Sequence, residues 1–313
     1  MRYVALAAGG LLLACGLLAG CSTDQYARMI TEQDTSLGKR AQWMVGSSDD
    51  LVKVGRISAA ERVAAPDKTP LDVWILKSAK QPARGTVLIL HGLLDSKITY
   101  LNLARALKDR DFDVVLMDLR AHGRSGGKYI AFGALEKTDA KAVMDAVVDK
   151  HKLALPIYVF GADLGGAVAI QYAALDPRVQ GVVALAANKD MAAVCRKFIP
   201  LVASDEDYQK ALARAGDLGG FKPADASALV AIVTLRCPII LVHGQLDGIV
   251  PAADSQALYA AATATTQKEL VIVPFPWGSH IGVVLRPDAD NVAAIEKVVS
   301  GKVGAASQPA PAR

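Results

Sequence analysis

Aromatic residues are scarce in this chain of 313 residues, since Phe, Trp and Tyr together make up only 5% of the sequence. So few aromatic side chains argue against a base-stacking platform and against a cleft that stacks on sugar rings. The formal net charge of +4 is small, and no long run of Lys or Arg is present. We therefore do not expect nucleic acid to be a partner, because phosphate binding needs a concentrated basic surface.

Metal and phosphate motifs are also lacking. The five histidines are scattered, and no group of His, Cys, Asp and Glu has the spacing of a metal site. No glycine-rich segment has P-loop spacing, and no repeat of solenoid length occurs. The sequence thus predicts neither a metal nor a cofactor. It does offer 52% hydrophobic residues, which is ample for one large core or two small ones.

The N-terminus predicts an export signal. Met1 and Arg2 precede an almost uninterrupted apolar stretch from Tyr3 to Ala19, which is short for a membrane-spanning helix. Polar residues follow at once, from Ser22 onwards. We therefore expect residues 1–20 to be a cleaved signal peptide rather than a permanent membrane span.

The residues at the predicted cleavage point, Leu-Ala-Gly-Cys at 18–21, resemble a bacterial lipobox. The resemblance implies that Cys21 is acylated and anchors the mature protein to a membrane, which several acyl chains do strongly. Ser22 is similar to the outer-membrane sorting residue of enterobacterial lipoproteins. The expected location is therefore the bacterial cell envelope, on the outer membrane facing the periplasm. The alternative is an ordinary signal peptide with a chance cysteine.

Two further cysteines, Cys195 and Cys237, lie in the body of the chain. An exported protein permits disulfides, so these two can form a bridge that closes a loop of the chain. Two buried free thiols are the other possibility, because free Cys is among the most buried residue types.

The chain beyond the signal divides into three parts. Residues 21–54 are polar and predict a linker with one helix around Gln25 to Leu37, which spaces the body from the membrane. From residue 55 to residue 301, β-branched runs alternate with amphipathic ones, which favours βα units and a mostly parallel, doubly wound sheet. Residues 302–313 are rich in Ala and Pro and predict a disordered tail.

Within the body, the alternation breaks between about residues 189 and 236. Short helical stretches joined by Gly and Pro occupy this segment. We interpret it as a lid inserted between two strands, and such lids line substrate pockets.

The most informative motif is Gly161-Ala-Asp163-Leu-Gly165-Gly166, which follows a buried strand and leads into a helix. It resembles the nucleophile elbow of the α/β-hydrolase superfamily, with aspartate where most relatives carry serine. The elbow residue is strained, so its neighbours two positions away must be small. The resemblance implies that Asp163 holds the nucleophile position.

Two earlier loops support the same resemblance, to the esterase and lysophospholipase-like branch. His91-Gly92-Leu93-Leu94 is similar to the loop that completes the oxyanion hole, which implies Leu93 and Leu164 as the two backbone donors. Residues 118–125, Asp-Leu-Arg-Ala-His-Gly-Arg-Ser, are similar to a segment with a mainly structural role. Ala121 departs from the first glycine of that segment.

The acid and the base come later in the chain, in the order of this superfamily. Asp247 lies in a Gly-Gln-Leu-Asp-Gly-Ile-Val-Pro loop that resembles the loop carrying the triad carboxylate. His280 follows Pro-Trp-Gly-Ser and resembles the catalytic histidine. The resemblance thus implies an α/β-hydrolase fold and a catalytic set of Asp163, Asp247 and His280, with a small-molecule substrate that is ester-like or otherwise apolar.

Aspartate at the elbow leaves three interpretations open. A haloalkane dehalogenase places tryptophan after the nucleophile, whereas Leu164 follows here. An epoxide hydrolase has a cis-proline where Leu94 stands and uses lid tyrosines, of which the lid offers Tyr208. A descendant of serine esterases that has lost its serine would hydrolyse weakly or only bind a ligand. Two carboxylates beside one imidazole also raise its pKa, which disfavours ordinary esterase activity.

Overall fold

A single eight-stranded sheet forms the centre of the molecule. The computed structural model describes residues 22–36, 38, 40, 46–201 and 203–304. The strand order is β1-β2-β4-β3-β5-β6-β7-β8, in which β2 runs antiparallel to both its neighbours and the other pairings are parallel. The strands are β1 (Ala59–Ala64), β2 (Pro70–Leu76), β3 (Thr86–Leu90), β4 (Asp113–Met117), β5 (Ile157–Ala162), β6 (Val179–Leu185), β7 (Ile239–Gly244) and β8 (Lys268–Val273).

Helices cover both faces of this sheet. They are α1 (Thr23–Thr31), α2 (Ser48–Lys53), α3 (Leu101–Lys108), α4 (Glu136–His151), α5 (Leu164–Leu175), α6 (Met191–Cys195), α7 (Asp205–Gly219), α8 (Ala228–Ile232), α9 (Ala252–Ala261), α10 (His280–Val284) and α11 (Asp288–Val299). Every residue of β3, β4 and β5 is buried, as is typical of central strands covered on both sides. The predicted mostly parallel α/β fold is therefore confirmed.

Successive side chains of β3 enter two separate cores. Leu88 and Leu90 pack into the core that also contains α4 and α5, whereas Val87 and Ile89 pack against α3 and α11 on the opposite face. This follows from the alternation of side chains along a strand. The sheet is thereby held from both sides, and its strand ends give the loops that follow them fixed positions.

The segment after Cys21 differs from the predicted linker. Ser22 forms a capping box with Gln25 at the start of α1, and Ile30 of this helix is fully buried in the main core. The Thr31 hydroxyl donates to the carbonyl of Ile130 over 2.7 Å. An amphipathic helix buries its apolar face where a partner surface exists, so α1 packs onto the body instead of spacing it.

The segment between β6 and β7 holds α6, α7 and α8. Arg214 of α7 forms an ion pair of 2.6 Å with Asp24 of α1, which joins this insertion to the N-terminal helix. Cys195 and Cys237 lie at its two ends as free, buried thiols, so the structure does not contain the possible disulfide. Burial raises the pKa of both thiols, to about 12 for Cys237, which keeps them protonated.

Other predictions fall on residues outside the described ranges. These are the signal peptide, the acylated Cys21 and nearly all of the C-terminal tail. Among the residues that the structure describes, none of the helices has the length and apolar character to span a bilayer.

Candidate active site

The turn between β5 and α5 places Asp163 in a strained backbone conformation, with φ 53° and ψ −119°. The tight turn depends on the glycines two positions away. A Cβ added to Gly161 would lie 2.1 Å from the carbonyl oxygen of Gly165, and a Cβ added to Gly165 would lie 2.3 Å from that of Leu90. Side chains are therefore excluded at both positions, and the carboxylate of Asp163 projects from the carboxyl end of the sheet.

The backbone N–H of Leu93 donates to Oδ2 of Asp163 over 2.8 Å. The N–H of Leu164 also forms a hydrogen bond with this carboxyl group. These are the two donors that the sequence predicts for an oxyanion hole, and the structure brings them together around the side chain of residue 163. The predicted oxyanion hole is thus filled by the side chain of Asp163, the residue at the predicted nucleophile position.

His280 lies between two carboxylates. Its Nδ1 is 2.7 Å from Oδ2 of Asp247, and its Nε2 is 3.6 Å from Oδ1 of Asp163. Oδ1 of Asp247 accepts hydrogen bonds from the backbone N–H groups of Ile249 and Val250, over 2.9 and 2.8 Å. The structure therefore brings all three predicted catalytic side chains into one chain of contacts.

The two groups that face each other across this site remain partly accessible. The side chain of Asp163 is 15% exposed and that of His280 is 12% exposed, whereas the side chain of Asp247 is fully buried. Asp163 and His280 are therefore partly open to solvent, while the carboxylate of Asp247 behind the imidazole is shielded from water.

The three pKa values are linked. Burial raises the pKa of Asp163, although His280 and the N–H of Leu93 oppose this effect. Burial acts in the same direction on Asp247, but hydrogen bonds from His243 and His280 hold its pKa well below the usual range. Burial lowers the pKa of His280, yet the hydrogen bond to Asp247 and the charge of Asp163 raise it overall. The protonated imidazole is therefore more stable in this site than in a free histidine.

His243 supports the acid and was not predicted to have a role. Its Nε2 lies 3.4 Å from Oδ2 of Asp247 and 2.9 Å from the carbonyl oxygen of Val250. Its Nδ1 lies 2.6 Å from the hydroxyl of Ser255 in α9. These contacts fix the loop that follows β7. The His-Gly pair at the end of the apolar strand β7 is the sequence signal that precedes this loop.

A second feature that sequence reasoning missed is the buried Lys97. Its side chain forms ion pairs with Asp118 and, over 2.6 Å, with Asp72, and its Nζ lies 4.5 Å from the ring centre of Trp74. The backbone N–H of Lys97 also donates to Asp118 over 2.9 Å. This cluster ties the loop bearing Leu93 to the loop that follows β4. No local pattern distinguishes Lys97 from a solvent-exposed lysine.

The segment 118–125 keeps its shape despite Ala121. This residue has φ 63°, a left-handed conformation that costs a non-glycine residue about 1–2 kcal/mol. Arg120 next to it pairs with the buried Asp139 over 2.7 Å, and Ser125 donates to the carbonyl of Asp118. Ala121 thus adopts the left-handed conformation that a glycine would adopt. The contacts of Arg120 and Ser125 hold the loop in this shape despite the departure from the pattern that the segment resembles.

Tyr208 does not face the site with a free hydroxyl. Its OH donates to the backbone carbonyl of Ala192 over 2.5 Å, and the residue is buried within the insertion. It is therefore poorly placed to protonate a substrate. In the described part of the chain, no group of three or more His, Cys, Asp or Glu side chains could hold a metal ion.

Sequence comparison finds relatives over much of the chain. The model of a family described as serine aminopeptidase, S33, matches residues 81–214, which is less than half of the chain. The uncharacterized protein YqkD of Bacillus subtilis is 24% identical over 56% of this chain and 59% of its own length. A monoacylglycerol lipase of Mycolicibacterium smegmatis is 25% identical over 60% of this chain and 78% of its own length.

Solved structures show the same fold. The Pyrococcus furiosus esterase Pf2001 has a TM-score of 0.62 at 20% identity, covering 82% of this chain and 94% of its own. Est1E of Butyrivibrio proteoclasticus, solved with ferulic acid, has a TM-score of 0.59 at 17% identity, covering 77% and 99%. The fold is that of the α/β-hydrolases, and together with the family match it indicates a hydrolase.

Proposed function

We propose that this chain, which has the α/β-hydrolase fold, hydrolyses small apolar substrates through attack by the Asp163 carboxylate on a saturated carbon. One observation carries the proposal. Oδ2 of Asp163 is held by the N–H of Leu93, while Oδ1 faces His280. One oxygen is thus held by a backbone donor of the predicted oxyanion hole, and the other is left beside the imidazole to attack.

In the first step, Oδ1 of Asp163 forms a bond to the carbon as the bond to the leaving group breaks, and the electron pair departs with that group. The product is an alkyl ester of Asp163, which carries no charge. Loss of this charge lowers the pKa of His280, which then releases its proton to solvent and becomes a base.

In the second step, His280 takes a proton from water and the hydroxide attacks Cγ of the esterified Asp163. Oδ2 carries the developing negative charge and already lies at the backbone donors. The alcohol leaves with the proton from His280, and the new carboxyl group returns a proton to the imidazole. Asp247 holds the imidazole in place throughout.

Attack on an ester carbonyl fits this geometry less well. The carbonyl oxygen of such a substrate would need the N–H of Leu93, which Asp163 already occupies. Attack by a carboxylate would also give an anhydride. The Mycolicibacterium relative is named a monoacylglycerol lipase. The same activity in this chain would require an oxyanion hole that is free to bind the carbonyl oxygen of the substrate.

A second candidate function is ligand binding without catalysis. It is favoured by the raised pKa of His280, because a protonated imidazole cannot act as a base. In this case Asp163 would be a replacement of a former serine, and the site would serve to hold a ligand or partner at the cell envelope.

Oxygen labelling separates these functions. With the enzyme in excess over small epoxides or alkyl halides in H2¹⁸O, a single turnover should place ¹⁸O in the peptide that contains Asp163 and none in the alcohol. The Asp163→Asn variant should show neither turnover nor label. Label in the alcohol after one turnover would mean direct attack by water and would refute the aspartate nucleophile. Binding without any turnover would favour the second function.

We propose in addition that Cys21 is acylated and that the protein resides at the outer membrane. The support is the sequence alone, since the apolar stretch ends in Leu-Ala-Gly-Cys before Ser22. Labelling of cells with a clickable palmitate analogue should mark the wild-type chain and leave the Cys21→Ser variant unmarked.

A further inference from the structure

Exposed apolar side chains are concentrated at one end of the sheet. Of the fourteen large apolar side chains that are exposed in the described part of the chain, six lie in the segments that directly follow β7 and β8, and Leu94 lies in the loop that follows β3. Leu201 is 96% exposed, Phe275 is 77% exposed and Trp277 is 69% exposed. Water-exposed side chains of this size and number mark an interaction surface. We define the apolar rim as Leu201, Leu246, Ile249, Phe275, Trp277 and Leu285.

Hydrogen bonds to backbone carbonyls join the segments that bear the rim. The Nζ of Lys197 donates to the carbonyls of Gly248 and Ile249 over 3.2 and 2.5 Å, which links the insertion to the loop after β7. The N–H of Leu246 donates to the carbonyl of Gly278 over 2.8 Å, which links that loop to the one carrying His280. The residues of the rim therefore lie on neighbouring segments, two of which carry Asp247 and His280 of the candidate active site.

The border of the rim carries charges of both signs. Residues 195–201, 244–251 and 274–287 contain Arg196, Lys197 and Arg286 and one carboxylate, Asp247, whose side chain is fully buried. The two arginines pair with exposed carboxylates just outside these segments, with Asp205 over 3.9 Å and with Asp290 over 3.5 Å. Contact of the rim with a bilayer would therefore rest on its buried apolar area, with which the strength of such binding scales.

The N-terminal helix enters the body at the same end of the sheet. The backbone of Thr31 in α1 pairs with Ile130, which follows β4, and Asp24 pairs with Arg214 of the insertion. Ser22 caps α1, so no spacer separates this helix from Cys21 in the sequence. A mature chain anchored through the acylated Cys21 proposed above, on which this step rests, is thus held close to the membrane at the carboxyl end of the sheet.

We propose that the apolar rim docks on a lipid bilayer, with Trp277 inserted at the interface and the mouth of the active site facing the lipid. An indole ring suits this position, because one part of it is apolar and its N–H finds polar partners. An apolar substrate dissolved in the bilayer would then reach Asp163 without crossing water. This inference does not depend on the chemistry proposed for Asp163.

Quenching by brominated lipids tests the inference on the full chain. The protein is reconstituted into phosphatidylcholine vesicles with or without phosphatidylglycerol, and the signal of Trp277 is the difference between wild type and Trp277→Phe. We expect bromines on the acyl chains to quench this signal strongly in both kinds of vesicle, because burial of apolar surface drives the docking.

The matched control places a tryptophan at the opposite end of the sheet. Leu155 is exposed and precedes β5, so Leu155→Trp in the Trp277→Phe background should be quenched several-fold less by the same lipids. Replacement of two exposed rim residues, Leu201→Asp and Phe275→Asp, should reduce quenching of Trp277 towards that control. Circular dichroism and thermal unfolding verify that these surface variants are folded.

Two results would overturn the inference. Quenching of Trp277 equal to that of the Leu155→Trp control would mean that the rim does not reach the bilayer. Protection of Trp277 from both brominated lipid and aqueous acrylamide, together with sedimentation as a dimer, would make the rim an interface between two copies of this chain.

Discussion

The backbone N–H of Leu93 donates to the side chain of Asp163, so a donor predicted for the oxyanion hole is occupied by the residue at the predicted nucleophile position. A serine hydroxyl at that position is too short to both enter the hole and face the histidine. The longer carboxylate does both, because its two oxygens are directed to Leu93 and to His280. The consequence is that the donors stabilise charge on Asp163 itself and not on a bound carbonyl.

Replacement of Asp163 by serine should therefore create esterase activity. The shorter side chain vacates the donors, and His280 with Asp247 remains in place to activate the hydroxyl. We expect hydrolysis of p-nitrophenyl acetate to rise by about 10²-fold or more over wild type, the scale of an oxyanion-hole contribution. Asp163→Ala is the control, since it vacates the hole without supplying a nucleophile. Equal rates in the two variants would show that emptying the hole alone explains any gain.

The pKa of His280 should depend on both neighbouring carboxylates, Asp163 and Asp247. In the wild type we expect the imidazole to titrate above its ordinary value of 6.5, and Asp163→Asn should lower this pKa by removing one negative charge. A raised native pKa stabilises the fold below the unfolded value, and this stabilisation is lost as pH rises through the native pKa. NMR titration of the imidazole protons measures the shift, and an unchanged pKa in the variant would contradict the coupling.

Replacement of His280 by glutamine should trap the alkyl intermediate. Oδ1 of Asp163 needs no base for its attack, so the first step proceeds, whereas water is no longer activated for the second. Intact-mass measurement after incubation with an alkyl halide or epoxide should show one added substrate-derived group on the Asp163 peptide. The Asp163→Asn, His280→Gln double variant should gain no mass. Mass gain in that double variant would assign the alkylation to another residue.

The ion cluster of Lys97 should contribute strongly to stability. Lys97→Met leaves the buried Asp118 without its cation, and breaking a buried pair in this way costs about 3–5 kcal/mol. Lys80→Met is the matched control, because Lys80 pairs with Asp111 at the exposed surface and such pairs contribute about 0–1 kcal/mol. Urea unfolding measures both changes. Similar losses in the two variants would contradict a special role for the buried pair.

Much of the fold was predictable because its signals are local. The buried run Thr86–Leu90 is a strand in the structure, and Gly161 and Gly165 form the tight turn that their spacing indicates. The segment from Thr23 to Thr31 was not predictable as part of the body, because its role depends on a partner surface formed by α7 and the loop around Ile130. Lys97 was missed for the same reason, since its partners are Asp72 in β2 and Asp118 in the loop after β4, both distant in the sequence.

The sequence by itself determined the alternation of strands and helices, the order of the site motifs and the presence of aspartate at the elbow. These properties follow from side-chain periodicity and from the few residue types that a strained turn allows. Only the tertiary structure decided that Asp163 fills the oxyanion hole, that His243 supports Asp247 and that the exposed apolar residues border one site. Distances between groups far apart in the chain depend on strand order and on the packing of both cores, which local patterns do not encode.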